Sequence, residues 1–191
     1  MVAAKGRFGG LVAAIGFVNG CGYDVEVSQV FDPTTSAWTN YGVREDSLVG
    51  RYPVVNDAIV RVLASFRADS GHYLLSSLSD ICDGMRRPDG TAFYCYRAIE
   101  TLQQYFIKMF KIKKDKDAWE TFRIRLGVDR GRLDAVKEFA DPRRHGGARA
   151  MTYEDRKTIL ATAYEVVDRF VAFVHDHPEL EEAADQKAAS G

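Results

Sequence analysis

The chain has 191 residues and a formal net charge of −1, and 46% of its residues are hydrophobic and 28% charged. These proportions lie in the ordinary range of globular domains, so they exclude wholesale disorder and fibrous architectures. A chain of this length can bury enough apolar surface to fold without a disulfide or a structural metal.

The first 50 residues predict a small antiparallel β meander. Residues 11–18 form an apolar run, and residues 23–27 alternate between apolar and polar side chains, which is typical of a half-buried strand. A turn-forming cluster at 32–36 precedes a third predicted strand at 38–43. Three short strands are not stable alone, so we expect the meander to pack on the rest of the chain or to pair with another chain.

An export signal is the alternative for the start of the chain, because the uncharged run at 8–22 follows Lys5 and Arg7. Its apolar part is short, is interrupted by Gly16, and cannot span a bilayer. We therefore expect a strand here, a cytoplasmic protein, and no association with a membrane.

From about residue 54 the spacing of the apolar residues becomes helical. It predicts three long helices, with apolar stripes over residues 55–66, 74–85 and 95–112. The third stripe is the clearest, because its apolar residues recur at intervals of three and four from Cys95 to Ile112.

Two shorter helices and a last long one follow. Asp117, with Glu120 three residues later, predicts the start of a helix that Gly127 ends. A second short helix, over 133–140, should end at Asp141-Pro142. The last long helix should begin at a capping box of Thr152 and Asp155, and should end at His177-Pro178.

The predicted fold class is therefore mainly α. We expect an up-down bundle of four to five helices plus short ones over residues 51–176, with the N-terminal β meander of residues 1–50 packed on it. Residues 177–191 form an acidic tail that should fray.

Charge is unevenly distributed along the chain. Residues 108–149 contain 13 basic and 7 acidic side chains, whereas residues 150–191 contain 4 basic and 9 acidic ones. A basic segment in a near-neutral protein is typical of a surface that binds an anion or a nucleic acid. The alternative is that the segment pairs with the acidic last helix, and the sequence leaves both open.

No metal site and no cofactor site are predicted. The three cysteines, Cys21, Cys82 and Cys95, form no CxxC pair, and no histidine lies at zinc-ligand spacing from them. We expect Cys82 and Cys95 to be reduced thiols on apolar helix faces. No glycine-rich phosphate loop joins a strand to a helix.

The predicted loop at 141–147 is the candidate catalytic segment, because it places His145 among Arg143, Arg144 and Arg149. A histidine surrounded by guanidinium groups should be neutral at pH 7 and able to accept a proton. The arginines could hold a phosphate and stabilise its additional negative charge. Both are requirements of RNA cleavage without a metal. The alternative is a solvated basic loop.

A second candidate pair, Arg97 and Glu100, lies one turn apart on the third predicted helix. The two could form an ion pair within the helix. Alternatively, Glu100 could reach across the bundle to orient His145 or an arginine of the 141–147 segment. Tyr94 and Tyr96 are expected at the edge of the core.

The order of these features resembles the HEPN-like helical bundles of bacterial defence and toxin–antitoxin systems. The residues that carry the resemblance are the helix segment 94–100, a short helix with Trp119, and Arg144-His145-Gly146 before a final long helix. It spans residues 72–175. The nuclease motif of that family, an arginine and a histidine separated by four to six residues, is degenerate in this chain, because residues 138–140 are Glu, Phe and Ala.

The resemblance implies a homodimer that engages RNA or a nucleotide, with metal-independent ribonuclease activity as one outcome. Its catalytic residues would be His145 as base, Arg144 as phosphate clamp and Glu100 as the group that orients them. Its binding residues would be Arg143, Arg149 and Arg97. The alternative function is a non-catalytic homodimeric module that binds a protein partner.

Overall fold

The computed structural model describes residues 29–40, 48, 50–66, 70–147 and 149–180. These residues form one β hairpin and a bundle of α-helices, so the predicted fold class is confirmed. In chain order the elements are β1 (Gln29–Asp32), β2 (Ala37–Asn40), α1 (Val55–Ser65), α2 (Gly71–Arg86), a 3₁₀ turn (Pro88–Gly90), α3 (Thr91–Phe110), α4 (Asp115–Leu126), α5 (Arg130–Arg144) and α6 (Tyr153–Asp176).

Helix α3 is the centre of the bundle. It packs on α2, α4, α5 and α6, and α1 packs on α6. The apolar stripe predicted for α3 is buried as expected, because a helix surrounded by neighbours must bury most of its apolar residues. Its buried members include Cys95, Ile99, Leu102, Tyr105 and Phe106.

The hairpin confirms the predicted turn and part of the third predicted strand. Strands β1 and β2 pair in antiparallel register, with Phe31 opposite Trp38. The rings of these two residues lie 5.0 Å apart, and both side chains are exposed. The strands predicted at 11–18 and 23–27 lie outside the described residues.

The segment before α1 is attached to α6 through Asp168. The Tyr52 hydroxyl donates to Asp168 Oδ1 at 2.5 Å, and Arg51 Nε and Nη2 donate to Oδ2 at 2.9 and 2.8 Å. Burial and the bond to Asp168 raise the pKa of Tyr52 to about 12, so its hydroxyl remains a donor at neutral pH.

Two predicted helix ends are confirmed. Thr152 and Asp155 form the capping box of α6, and Asp155 Oδ2 accepts a hydrogen bond from the Thr152 backbone N–H at 2.9 Å. Gly127 ends α4 in the left-handed conformation, at φ 62°. Arg169 of α6 stabilises this end, because its Nη1 donates to the Leu126 carbonyl at 2.9 Å.

The predicted start of α4 is wrong. The helix begins at Asp115, and its N-cap residue, Lys114, makes no side-chain capping bond. Asp115 and Asp117 instead lie in the first turn. Carboxylates there interact favourably with the helix dipole, so the acidic residues stabilise the helix start without capping it.

The predicted end of α5 is also wrong, because the helix continues through Pro142 to Arg144. Proline lacks an amide donor and its ring clashes with the carbonyl four residues earlier, but only two helical residues follow Pro142, so little of the helix is disturbed. The helix then ends in a turn, in which the amides of His145 and Gly147 donate to the Pro142 carbonyl at 3.2 and 2.6 Å. Arg143 and Arg144 therefore lie on a helix and not in a loop.

The two described cysteines differ. Cys95 is buried as expected, and burial raises the pKa of its thiol to about 12. Cys82 is exposed, so its predicted place on a buried apolar face is wrong. Cys21 lies outside the described residues.

Candidate functional site

Arg144 and Glu100 come together across the bundle. Arg144 Nη1 lies 3.4 Å from Glu100 Oε1 on α3 and 3.4 Å from Asp141 Oδ1 on its own helix. The guanidinium carbon lies over the Tyr96 ring, 5.5 Å from its centroid. Of the two alternatives for Glu100, the structure therefore has the one in which it reaches an arginine of the 141–147 segment.

The surroundings of Glu100 and Tyr96 shift the pKa values of both side chains. Burial raises the pKa of Glu100 above its ordinary value, and the positive charges of Arg144 and Lys137 oppose this shift. Burial also raises the pKa of Tyr96, with a further contribution from the negative charge of Glu100. At neutral pH the Tyr96 phenol therefore stays protonated and is an uncharged surface beside the Glu100–Arg144 pair.

The other two arginines predicted at this segment are also engaged. Arg143 Nη1 donates to the Asp89 carbonyl at 2.7 Å and lies 3.3 Å from Asp89 Oδ2. Arg149 Nη1 donates to Glu138 Oε1 at 2.6 Å, and its guanidinium carbon lies 4.1 Å from the centroid of the Phe139 ring. Acidic side chains of the protein itself thus occupy both predicted phosphate-binding groups.

Arg97 faces away from Glu100. Its Nε donates to Oδ1 of the buried Asp80 on α2 at 2.9 Å, and its guanidinium lies over the Tyr94 and Phe93 rings. The alternative of an Arg97–Glu100 ion pair within α3 is therefore wrong. Arg97 joins α2 to α3 on a different side of the bundle from Arg144.

His145 is not brought together with the other predicted catalytic residues. It is the C-cap residue of α5, its side chain is exposed, and its ring makes no hydrogen bond or ion pair within the described ranges. The structure thus pairs Arg144 with Glu100 and leaves the ring of His145 in solvent.

A cleft that the sequence did not indicate lies next to this pair. Helices α4 and α5 both pack on α3, and a space of about 280 Å³ opens between them. Tyr96, which is buried as expected, lines the cleft together with the half-buried Trp119 of α4. The two rings are stacked, with centroids 6.0 Å apart and planes 17° apart.

The two walls of the cleft have the same pattern of charge. Each helix contributes a cation, a carboxylate and a second cation at positions i, i+4 and i+7, which lie on one helix face. These residues are Lys116, Glu120 and Arg123 on α4, and Arg130, Asp134 and Lys137 on α5. Each pattern is visible in the sequence, but only the placement of both helices on α3 makes the two stripes face one cleft.

Several cations of the basic segment have no carboxylate partner in the part of the chain that the structure describes. We call them the basic surface, and they are Lys111, Lys113, Lys114, Lys116, Arg123, Arg125 and Lys137. Other basic residues of the segment are paired, as the alternative interpretation predicts; for example, Arg132 pairs with Glu165 of α6. Pairing therefore neutralises only part of the segment.

Within the described ranges, no group of three or more His, Cys, Asp or Glu side chains is placed to hold a metal ion. None of the described helices combines the length and the apolar character that a membrane span requires.

Residues 59–175, which extend from within α1 to within α6, match the model of a family described as Domain of unknown function (DUF8168) C-terminal domain. No curated protein and no solved structure matches the chain. The matched region contains the Glu100–Arg144 pair and the whole cleft, and it covers more than half of the chain. The chain therefore belongs to the DUF8168 C-terminal domain family.

Proposed function

We propose that the protein binds RNA through the basic surface. The observation that carries the proposal is the set of cations over residues 111–137 that form no ion pair with a described carboxylate. Cations of this kind bind nucleic acids by displacing the counterions that are condensed on the phosphates. RNA is the partner that the resemblance to HEPN-like bundles implies.

The arginines around His145 are less suited to binding RNA than the basic surface is. Arg143, Arg144 and Arg149 each contact a carboxylate, so an incoming phosphate would have to compete with an existing partner. The lysines before α4 have no such competitor. Lys111, Lys113 and Lys114 are exposed and follow one another closely in the link between α3 and α4, so they form the densest positive charge of the basic surface.

Replacing these three lysines with glutamine is expected to weaken RNA binding by about tenfold or more at moderate salt, because three phosphate contacts are lost. The slope of log affinity against log salt concentration should fall by about 2, since each contact to a single strand contributes about 0.7. Fluorescence anisotropy of a labelled RNA at several salt concentrations measures both.

The matched control removes three exposed cations outside the basic surface, in the variant Arg61→Gln, Arg86→Gln, Lys157→Gln. It has the same net charge as the lysine variant, so an equal loss in both variants would show general electrostatics and not a defined surface. Absence of salt-dependent binding by the wild-type protein would overturn the proposal.

The geometry supports binding of RNA better than it supports metal-independent cleavage of RNA. Arg144 already contacts Glu100 and Asp141, and the His145 ring lies in solvent. We therefore expect RNA to remain intact when it is incubated with the protein in EDTA. Cleavage by the wild type that His145→Ala abolishes would contradict this expectation and would establish His145 as a catalytic base.

The second candidate function is a non-catalytic homodimeric interaction module. Exposed apolar side chains on α1 favour it, namely Val55, Ile59, Val60 and Leu63, because a contiguous apolar patch is typical of an interaction surface. The RNA titration separates the two candidates, since a module that binds only protein would show no salt-dependent binding of RNA.

A further inference from the structure

We propose that the cleft between α4 and α5 binds a single nucleotide, with the base against Trp119 and the phosphate among the cations of the two walls. The inference deepens the proposed function, since an unpaired residue of a bound RNA can supply the nucleotide. A free nucleoside monophosphate has the same chemistry and is the other source.

The size of the cleft suits one small ligand. Its volume of about 280 Å³ lies close to the lower limit of about 300 Å³ that is typical of small-molecule sites. A duplex could not enter such a space, and bases within a duplex do not offer their faces for stacking. A single unpaired nucleotide offers both a free base face and a phosphate.

The aromatic side of the cleft is ordered before a ligand arrives. Trp119 stacks on Tyr96 and meets the ring of the buried Phe122 edge to face, with centroids 5.7 Å apart and planes 85° apart. A side chain that is already fixed loses little conformational entropy when it binds. Stacking on an aromatic side chain stabilises a bound base and accepts any base, because every base has a π-face.

The charged side of the cleft favours an anion next to that ring. Arg123 is held beside Trp119, because its Nε donates to the Trp119 carbonyl at 3.3 Å. Lys116 and Lys137 have no carboxylate partner among the described residues, whereas Arg130 pairs with Asp134 at 3.2 Å. The three cations without a carboxylate partner are therefore the groups that can bind a phosphate.

The carboxylate on the α4 wall adds a group that a nucleotide can use. Glu120 lies between Lys116 and Arg123 on the same helix face and forms no ion pair in the described part of the chain. A carboxylate accepts hydrogen bonds from the exocyclic amino group of a base or from a ribose hydroxyl. Inorganic phosphate has neither a base to stack on Trp119 nor a ribose, so the cleft should discriminate between a nucleotide and phosphate alone.

Tryptophan fluorescence tests the inference, because the chain contains only Trp38 and Trp119. In a Trp38→Phe background, Trp119 is the sole tryptophan and reports directly on the cleft. Trp38 is exposed on the hairpin, so its replacement should not disturb the bundle. The probes are adenosine monophosphate, adenosine, inorganic phosphate, a short single-stranded RNA, and the same RNA as a duplex.

Adenosine monophosphate and the single strand are expected to quench Trp119 with saturation, and inorganic phosphate and the duplex to leave it unchanged. Lys137→Gln should lower the affinity for adenosine monophosphate at least fivefold and leave the weak affinity for adenosine unchanged. Arg61→Gln is the matched control, because it removes an exposed cation that lies outside the basic surface and does not line the cleft. Lys137 is exposed, so its loss should not impair folding.

The outcomes distinguish RNA binding by the basic surface from nucleotide binding by the cleft. They also distinguish an unpaired residue of RNA from a free nucleotide as the ligand. Quenching by the single strand alone identifies the source as an unpaired residue of RNA. Quenching by the monophosphate without RNA binding supports the cleft as a site for a free nucleotide and overturns the proposed function. Anisotropy that shows RNA binding while Trp119 stays unquenched by every probe overturns the cleft proposal and leaves the proposed function intact.

Discussion

Replacing Phe106 with alanine is expected to lower the free energy of unfolding by about 3–5 kcal/mol, the range typical of losing a buried phenylalanine. Phe106 of α3 is fully buried. Its ring centroid lies 5.4 Å from that of Phe122 on α4 and 5.1 Å from that of Phe173 on α6. One side chain thus joins three helices, and its removal leaves a cavity where they meet.

The loss should also reach the cleft. Helix α4 packs on α3 through few buried side chains, and the Phe106–Phe122 contact is one of its attachments. Phe122 in turn contacts Trp119. We therefore expect the fluorescence of Trp119 to change in Phe106→Ala before the protein unfolds globally, because α4 is the helix that loses support.

Urea denaturation followed by circular dichroism measures the effect of Phe106→Ala. Phe106→Leu should cost clearly less, because it leaves a smaller cavity. Ile124→Ala is the surface control, since Ile124 of α4 is 71% exposed and its truncation should change stability by less than about 0.5 kcal/mol. Equal effects of Phe106→Ala and Ile124→Ala would show that the aromatic cluster is not the core.

The sequence was sufficient to predict the helices because their signals are local. The stripe of α3 repeats at the helical period, and the capping box of Thr152 and Asp155 lies within four residues. The end of α5 was not predictable in this way. A proline is a strong signal against a helix interior, but only two helical residues follow Pro142, and only the structure of the whole helix shows that this proline lies in its last turn.

The site was predictable only in part, for a related reason. Glu100 lies beside the apolar stripe of α3, so a contact across the bundle was a reasonable inference, and Arg144 makes it. The partners of Arg143, Arg97 and Arg149 depend on how distant segments meet, and the spacing of residues along one helix does not determine that. The cleft forms because both α4 and α5 pack on α3, so the sequence of neither helix alone predicts it.

Arg156 of α6 is a buried cation that holds the α2–α3 connection, and nothing in its sequence context singles it out. It is 4% exposed, its Nε donates to Thr91 Oγ1 at 3.1 Å, and its Nη2 donates to the Met85 carbonyl at 2.9 Å. Thr91 Oγ1 itself donates to the Gly84 carbonyl at 2.7 Å. Both carbonyls belong to the last turns of α2, where the final four carbonyls have no partner within the helix.

Arg156→Met is expected to lower the free energy of unfolding by about 3 kcal/mol, because hydrogen bonds from a charged donor contribute about 1.5–3 kcal/mol each. Methionine keeps much of the apolar stem, so the variant isolates the loss of the donors. The buried guanidinium of the wild-type protein is desolvated, and this lowers the stability of the wild type. Methionine removes that cost, which reduces the net destabilisation of the variant. We expect destabilisation to prevail, since the Met85 carbonyl and the buried Thr91 hydroxyl stay in place without their donor. Urea denaturation measures the free energy of unfolding of Arg156→Met and of the control Lys157→Met, which changes an exposed neighbour on α6. Equal stability of the two variants would show that the cost of desolvation cancels the hydrogen bonds.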